Sequence, residues 1–230
     1  MSQRGNALFL ILIAVALFAA LSYAITQLGR GGGNVSNETV LITASLVVEQ
    51  PAAVRAAIQN MILGGDNPQS ITFSGASQYN VFDTVSGGGG ATNLLPPTEA
   101  CNVASDCTDG WFYIPAMPSG VYVEGVGSAG ANGGDAFAIL GTAGGGAGSG
   151  VVTSVCQQIN KSLGFANPTA IPVSVNGPVT GAGAGYAAGG NSSTISSGSG
   201  TPADELWGQD FACFQDDWVG NLYYAVLIEQ

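Results

Sequence analysis

The chain contains no histidine, and its 230 residues include only four Lys or Arg against fifteen Asp or Glu. Without histidine neither a Ser-His-Asp nor a Cys-His arrangement can be built, and no Gly-x-Ser-x-Gly elbow occurs. The shortage of cations leaves a net charge of -11, which repels phosphate backbones and anionic headgroups and argues against nucleic acid as a partner. There is no Walker lysine. No Cys-x-x-Cys pair is present, so a zinc site, the rival use of the cysteines, would need all four thiolates at an unusual spacing. Charged residues of both signs make up only 8%, while glycine numbers 36. Solubility must then come from Ser, Thr, Asn, Gln and exposed backbone, unlike a typical cytosolic enzyme.

What the chain does have is a long apolar run at its start. From Ala7 to Ile25 the polar side chains are Ser22 and Tyr23, and about 19 helical residues rise roughly 28 Å, close to the hydrocarbon thickness of a bilayer. Arg4 is the nearby cation on the short side and nearly all the acids follow the run, so Met1 is expected in the cytoplasm and residues beyond Arg30 outside it. Ser22-Tyr23-Ala24 also fits the small-x-small pattern of a secretory signal, which makes cleavage after Ala24 the competing expectation.

Beyond the run, "GRGGGN" at Gly29 to Asn34 is expected to interrupt the helix, because glycine is costly in helix interiors. A new helix over 36–63 follows, capped by Ser36 or Asn37, with Val40, Ala44, Val47, Val54, Ile58 and Met61 recurring on one side. Pro51 should kink or divide it, and Gly64 should stop it. From Ser70 onward the expected strands are "SITF", "WFYIP", "VYVEGV", "AFAIL", "IPVSV" and "YYAVLIE", with a second short helix in "SVCQQINKSLG". Gly125 to Gly150 and Gly177 to Gly200 read as glycine-rich loops. The fold class is α+β, a helix packed on an antiparallel sheet.

Four cysteines follow the apolar run. The six-residue spacing of Cys101 and Cys107 suits a small closed loop, and Cys156 with Cys213 would staple the second helix to the C-terminal region. That pairing is the expected one of the three that four cysteines allow, and oxidised cysteines fit an exported setting.

Two tempting motifs are weak. Gly125, Gly127 and Gly130 match G-x-G-x-x-G directly after a strand, but "ANGGDAFAIL" is a poor start for the helix that a dinucleotide needs. Asp210, Asp216 and Asp217 lie near Trp207 and Trp218, a grouping that glycosidases use. Solvated acids beside core-edge tryptophans are the preferred reading.

A polar leader ending in Gly5, followed without a break by an apolar stem, resembles the class III signal of the type IV pilin and type II secretion pseudopilin family. Asn6 stands where Phe or Met is usual and Leu10 where most members place Glu, an acid that minor, tip-type members also lack. Cys213 followed by "NLYYAVLIEQ" is similar to the closing Cys and last strand of several pilin-like subunits. The resemblance implies that a prepilin-type peptidase cuts after Gly5 to leave Asn6 first. It implies an assembly stem that includes Leu8, Phe9, Leu10, Ile11, Leu12 and Phe18. The layout is then a leader over 1–5, a transmembrane stem over 6–28, a hinge over 29–35, an amphipathic helix over 36–63 and an exported domain over 64–230.

The expected function is a non-enzymatic, membrane-anchored structural subunit of the inner membrane whose domain is exported to the periplasm or into an extracellular filament. Its expected partners are like subunits, the membrane and the peptidase. No cofactor is expected apart from calcium, which pseudopilins of this architecture often hold. Asp204, Glu205, Asp210, Asp216 and Asp217 offer the oxygens for it. The alternative is a secreted or anchored binding module using its Gly/Ser loops and Trp207 or Trp218 on carbohydrate or a host surface.

Overall fold

The computed structural model describes residues 32–108, 110–116, 122–127, 134–141, 149–173, 194–195, 205–216 and 220–229. The chain divides into two units, Met1–Val40 and Leu41–Gln230. Of the first, the described residues are 32–40, the start of helix α1 (Gly32–Leu63).

Helix α1 begins four residues earlier than its capping signals suggested, so Gly32 and Gly33 of the expected hinge are helical. Pro51 does not divide the helix. It is buried between Val47 at 0% and Val54 at 3% exposure, and burial of this ridge outweighs the one hydrogen bond that proline cannot donate. Ala44, Ile58 and Met61 complete the buried side. The helix ends at Leu63, as expected, with Gly64 as the capping residue and the left-handed turn one residue further on. The Asp66 N–H bonds Met61 O at 3.1 Å and the Gly65 N–H bonds Ile62 O at 3.0 Å, a Schellman pattern whose left-handed residue is Gly65 at φ 105°.

The remaining elements are α2 (Ala104–Thr108), β1 (Phe112–Ile114), β2 (Tyr122–Val123), β3 (Ala136–Leu140), β4 (Ser149–Gly150), α3 (Thr153–Ser162), β5 (Thr194–Ile195), β6 (Phe211–Asp216) and β7 (Gly220–Ile228). Strand β7 is central. It pairs antiparallel with β3 and with β6, and β1 pairs antiparallel with β3. Gly220 and Asn221 pair with β6 on one side and with the parallel β4 on the other, so β4 continues the β3 side of β7. Strands β2 and β5 form a separate parallel pair.

The expected strands in "WFYIP", "VYVEGV", "AFAIL" and "YYAVLIE" are present. "SITF" reduces to a bridge of Thr72 with Asn80. In "IPVSV", Val173 bridges Gln215, while Ser174 and Val175 lie outside the described residues.

Register assigns each residue of β7 to one face. Leu222, Tyr224 and Val226 join Ile114, Phe137, Ile139, Ala212 and Phe214 in the main apolar cluster, covered by Val123, Ile195, Phe165 and Leu206. Tyr223 points to the opposite face, edge-on to Trp111 at 5.9 Å between ring centroids and tilted against Phe211 at 6.4 Å.

The outer edge of β6 is closed by α3. Asn160, fully buried, donates from Nδ2 to Cys213 O at 3.0 Å and accepts at Oδ1 from Cys213 N at 2.9 Å. Its amide thus takes the place of a neighbouring strand. The Cys156–Cys213 disulfide ties the same two elements, and Gln215 N donates to Pro172 O at 2.7 Å further along. The second disulfide, Cys101–Cys107, closes the loop around α2, beside the bridge of Cys101 with Val151. The pairing coincides with the expected one.

Asn160→Ala should lower stability by about 2–3 kcal/mol, since two buried backbone groups of Cys213 lose their partner. Chemical denaturation of the oxidised protein measures this, and an unchanged midpoint would show that water or a shift of α3 satisfies the edge. In the loop after α1, Asp83 accepts from the backbone N–H groups of Ser86 at 2.9 Å and Val85 at 2.7 Å through Oδ1 and from Ser77 at 2.9 Å through Oδ2. Led by the Ser86 bond, these hold its carboxyl below the ordinary value of 3.8. A depressed folded pKa gives stability that is present above the unfolded value and lost as pH falls through the folded one. The carboxyl-carbon NMR titration of Asp83 should have its midpoint below 3.8, and a midpoint at or above that would contradict the bonding.

Candidate assembly surface

Two polar side chains fix α1 on the Tyr223 face of the sheet. Gln50 accepts at Oε1 from Trp111 Nε1 at 2.9 Å and donates from Nε2 to Leu95 O at 3.1 Å. Five residues on, Arg55 donates from Nε to Val226 O at 2.8 Å and from Nη1 to Asp210 Oδ2 at 3.1 Å, and Nη2 also bonds Val226 O. A helix this poor in charge places its one cation where a strand carbonyl and a carboxylate both face it.

Tyr223 lies beneath. Burial pushes its phenol well above the usual value, opposed in part by the Arg55 charge. Its hydroxyl is buried with no hydrogen-bond partner among the described residues.

With one side of α1 committed to the sheet, Leu41, Ile42 and Leu46 are left exposed at 46%, 61% and 41% near its N-terminal end. Next to Leu41 a groove of about 360 Å³ runs between α1 and α3. Its floor is Leu41, Ala44, Val48 and Ala52 of α1 with Ile159 of α3; Ser45, Glu49, Gln158 and Ser162 form a polar rim. Ala44, Val48 and Ala52 stand four residues apart, which places them in one row along the helix. An apolar floor with a polar rim is the anatomy of an interface.

Most of the expected site residues are not brought into this surface. Gly5, Asn6, Leu8, Phe9, Leu10, Ile11, Leu12 and Phe18 lie outside the described residues, as do Ala24, Asp204, Asp217 and Trp218. The remaining calcium candidates do not converge. Asp210 precedes β6 and pairs with Arg55, whereas Asp216 ends the strand and is buried. Six extended residues set them about 20 Å apart. Glu205 sits in the turn before Leu206, and among the described residues no group of three or more His, Cys, Asp or Glu could hold a metal ion.

The glycine motif has another use. A Cβ on Gly125 would stand 2.5 Å from Trp207 Nε1, and the Gly208 N–H donates to Glu124 O at 2.8 Å. Gly125 is the seat on which the half-buried Trp207 ring rests. Gly130 lies outside the described residues.

Sequence reasoning missed Gln50, Arg55, Asn160 and the groove. The signal for Arg55 was its isolation, as one of only four cations in the middle of an apolar helix. Gln158 and Ser162 carried no signal, because nothing local reveals that α3 will lie beside α1. Comparison of the chain with known protein families, curated proteins and solved structures finds no match.

Arg55→Met should destabilise the folded unit by about 2 kcal/mol, through charge-assisted bonds lost at Val226. Asp210→Asn should cost less than about 1 kcal/mol, since the ion pair is partly exposed. Equal losses in urea denaturation would place the weight on the ion pair instead.

Proposed function

We propose that the chain is a non-enzymatic, membrane-anchored structural subunit, pilin-like or pseudopilin-like, whose domain is exported and which assembles with like subunits through its N-terminal hydrophobic segment. The observation that carries this reading is the division of labour on α1. One side is sunk in the domain while Leu41, Ile42 and Leu46 stay exposed at the end nearest the apolar run. Exposed apolar side chains grouped on one element mark a site of association.

The two disulfides support it as well, since they fit an oxidising compartment. The mechanism is exchange of surroundings. An apolar stem leaves the bilayer when other apolar surfaces replace lipid, at roughly 25 cal/mol for each Å² kept from water.

The processing site tests the proposal. Gly5→Leu should block cleavage and leave an unprocessed, membrane-held protein, because a bulky side chain bars close approach of the peptidase to the backbone. Ala24→Leu should change little. The secreted binding module predicts the reverse, and intact-mass measurement of both variants in the native host separates the two. If Ala24→Leu alone abolishes processing, the assembly reading fails.

A further inference from the structure

The triplet Asn37-Glu38-Thr39 has the Asn-x-Thr form in which an asparagine amide accepts a sugar outside the cytoplasm. We propose that Asn37 is a glycosylated residue, an inference that rests on the exported placement in the reading above.

Triplets of the form Asn-x-Ser/Thr with x other than Pro occur at Asn34, Asn37, Asn160 and Asn191, and in a chain rich in Ser and Thr the pattern alone decides little. The structure separates them. Asn160 is fully buried and both ends of its amide bond the backbone of Cys213, so a sugar on its Nδ2 is incompatible with the fold. Asn37, Glu38 and Thr39 are all exposed, so Asn37 can carry a sugar without opening the fold. Asn191 and the side chain of Asn34 lie outside the described residues.

The helix boundary removes the competing use of Asn37. Its place in the sequence suits a cap, but α1 begins at Gly32, which makes Asn37 an interior residue. Asparagine is a poor helix former there, so helix stability does not account for it. Twelve residues separate it from Ile25, at most about 40 Å of extended chain. Asn37 therefore stays within reach of a sugar donor held at the membrane by a lipid.

The donor class is a sugar joined through its anomeric carbon to a lipid phosphate. Asn37 Nδ2 attacks that carbon: a C–N bond forms, the C–O bond to the phosphate breaks, the phosphate leaves with its lipid, and one amide proton passes to a base of the transferase. Thr39 supplies the hydroxyl that the transferase reads together with the amide. Residues two apart stand about 200° apart around a helix, so transfer precedes the folding of this turn. The sugar adds hydration to a chain in which charged residues make up 8%.

The test is mass spectrometry of the full chain purified from its native host. The mature protein should exceed its sequence mass by whole sugar residues, with fragmentation placing sugar on Asn37. Asn37→Gln and Thr39→Ala should each lose that sugar, while Thr39→Ser, which keeps the hydroxyl, should retain it. The peptide that holds Asn160 should carry none. Cleavage after Gly5 and cleavage after Ala24 both leave Asn37 in the mature chain, so the result does not depend on which occurs. An Asn37 peptide at its bare sequence mass overturns the inference, as does sugar confined to Asn34, to Asn191 or to hydroxyl side chains. Protease added outside the membrane then separates the causes. A bare Asn37 on a domain digested from outside, with both disulfides formed, sinks the site alone; a protected domain with free thiols sinks the exported reading with it.

Discussion

Strand β7 is buried on both faces from Leu222 to Ile228, and most of the structure follows from supplying covers for those two faces. A strand that alternates Leu222, Tyr224 and Val226 with Tyr223, Ala225 and Leu227 cannot leave either side in water without losing apolar burial that decides whether a domain of this size folds. One cover is built from β2, β5, Leu206 and Phe165. The other is built from helices, which is why α1 lies where Gln50 meets Trp111 and Arg55 meets Val226. Ala138 and Ala225, paired in register on the helix-facing side, leave room for it.

The same constraint explains how a chain with 8% charged residues keeps its few polar side chains at work. Arg55, Gln50 and Asn160 each satisfy strand or loop backbone groups that the packing would otherwise strand away from water. Each is a long or amide-bearing side chain on a helix, reaching from one layer into the next. Their loss would be felt as unsatisfied backbone rather than as missing charge, since exposed ion pairs contribute little on their own. The helix that carries two of them also leaves Leu41, Ile42 and Leu46 in solvent, so the element that seals the core is also the one with exposed apolar side chains.

The local signals were read with unequal success, and the reasons are physical. The ridge from Ala44 to Met61 was legible because helical periodicity survives in sequence whatever it packs on. "AFAIL" and "YYAVLIE" were legible as continuous apolar runs. Strand β6 was not, because "FACFQD" mixes Gln215, Asp216 and a disulfide cysteine with its apolar residues and follows a turn, and its strand identity comes from lying beside β7. "SITF" has the composition of a strand, yet no ladder of partners is placed along it; a single bridge to Asn80 is what forms. The candidate surface was legible only in part. Leu41, Ile42 and Leu46 are visibly apolar, but whether they face core or solvent depends on the angle at which α1 is set down.

What the sequence determined by itself is what depends on neighbours a few residues away or on composition alone. That includes the apolar run from Ala7, the amphipathic helix and its glycine stop, the tight Cys101–Cys107 loop, and the exclusion of histidine-based catalysis. Tertiary structure alone decided which groups meet across the fold: Arg55 with Val226, Asn160 with Cys213, Trp207 on Gly125, and α3 beside α1 to form a groove. These contacts join residues 53 to 171 positions apart in most cases, and no local pattern encodes them. They arise because two faces of one strand must be covered at once, a requirement that exists only after the sheet has formed.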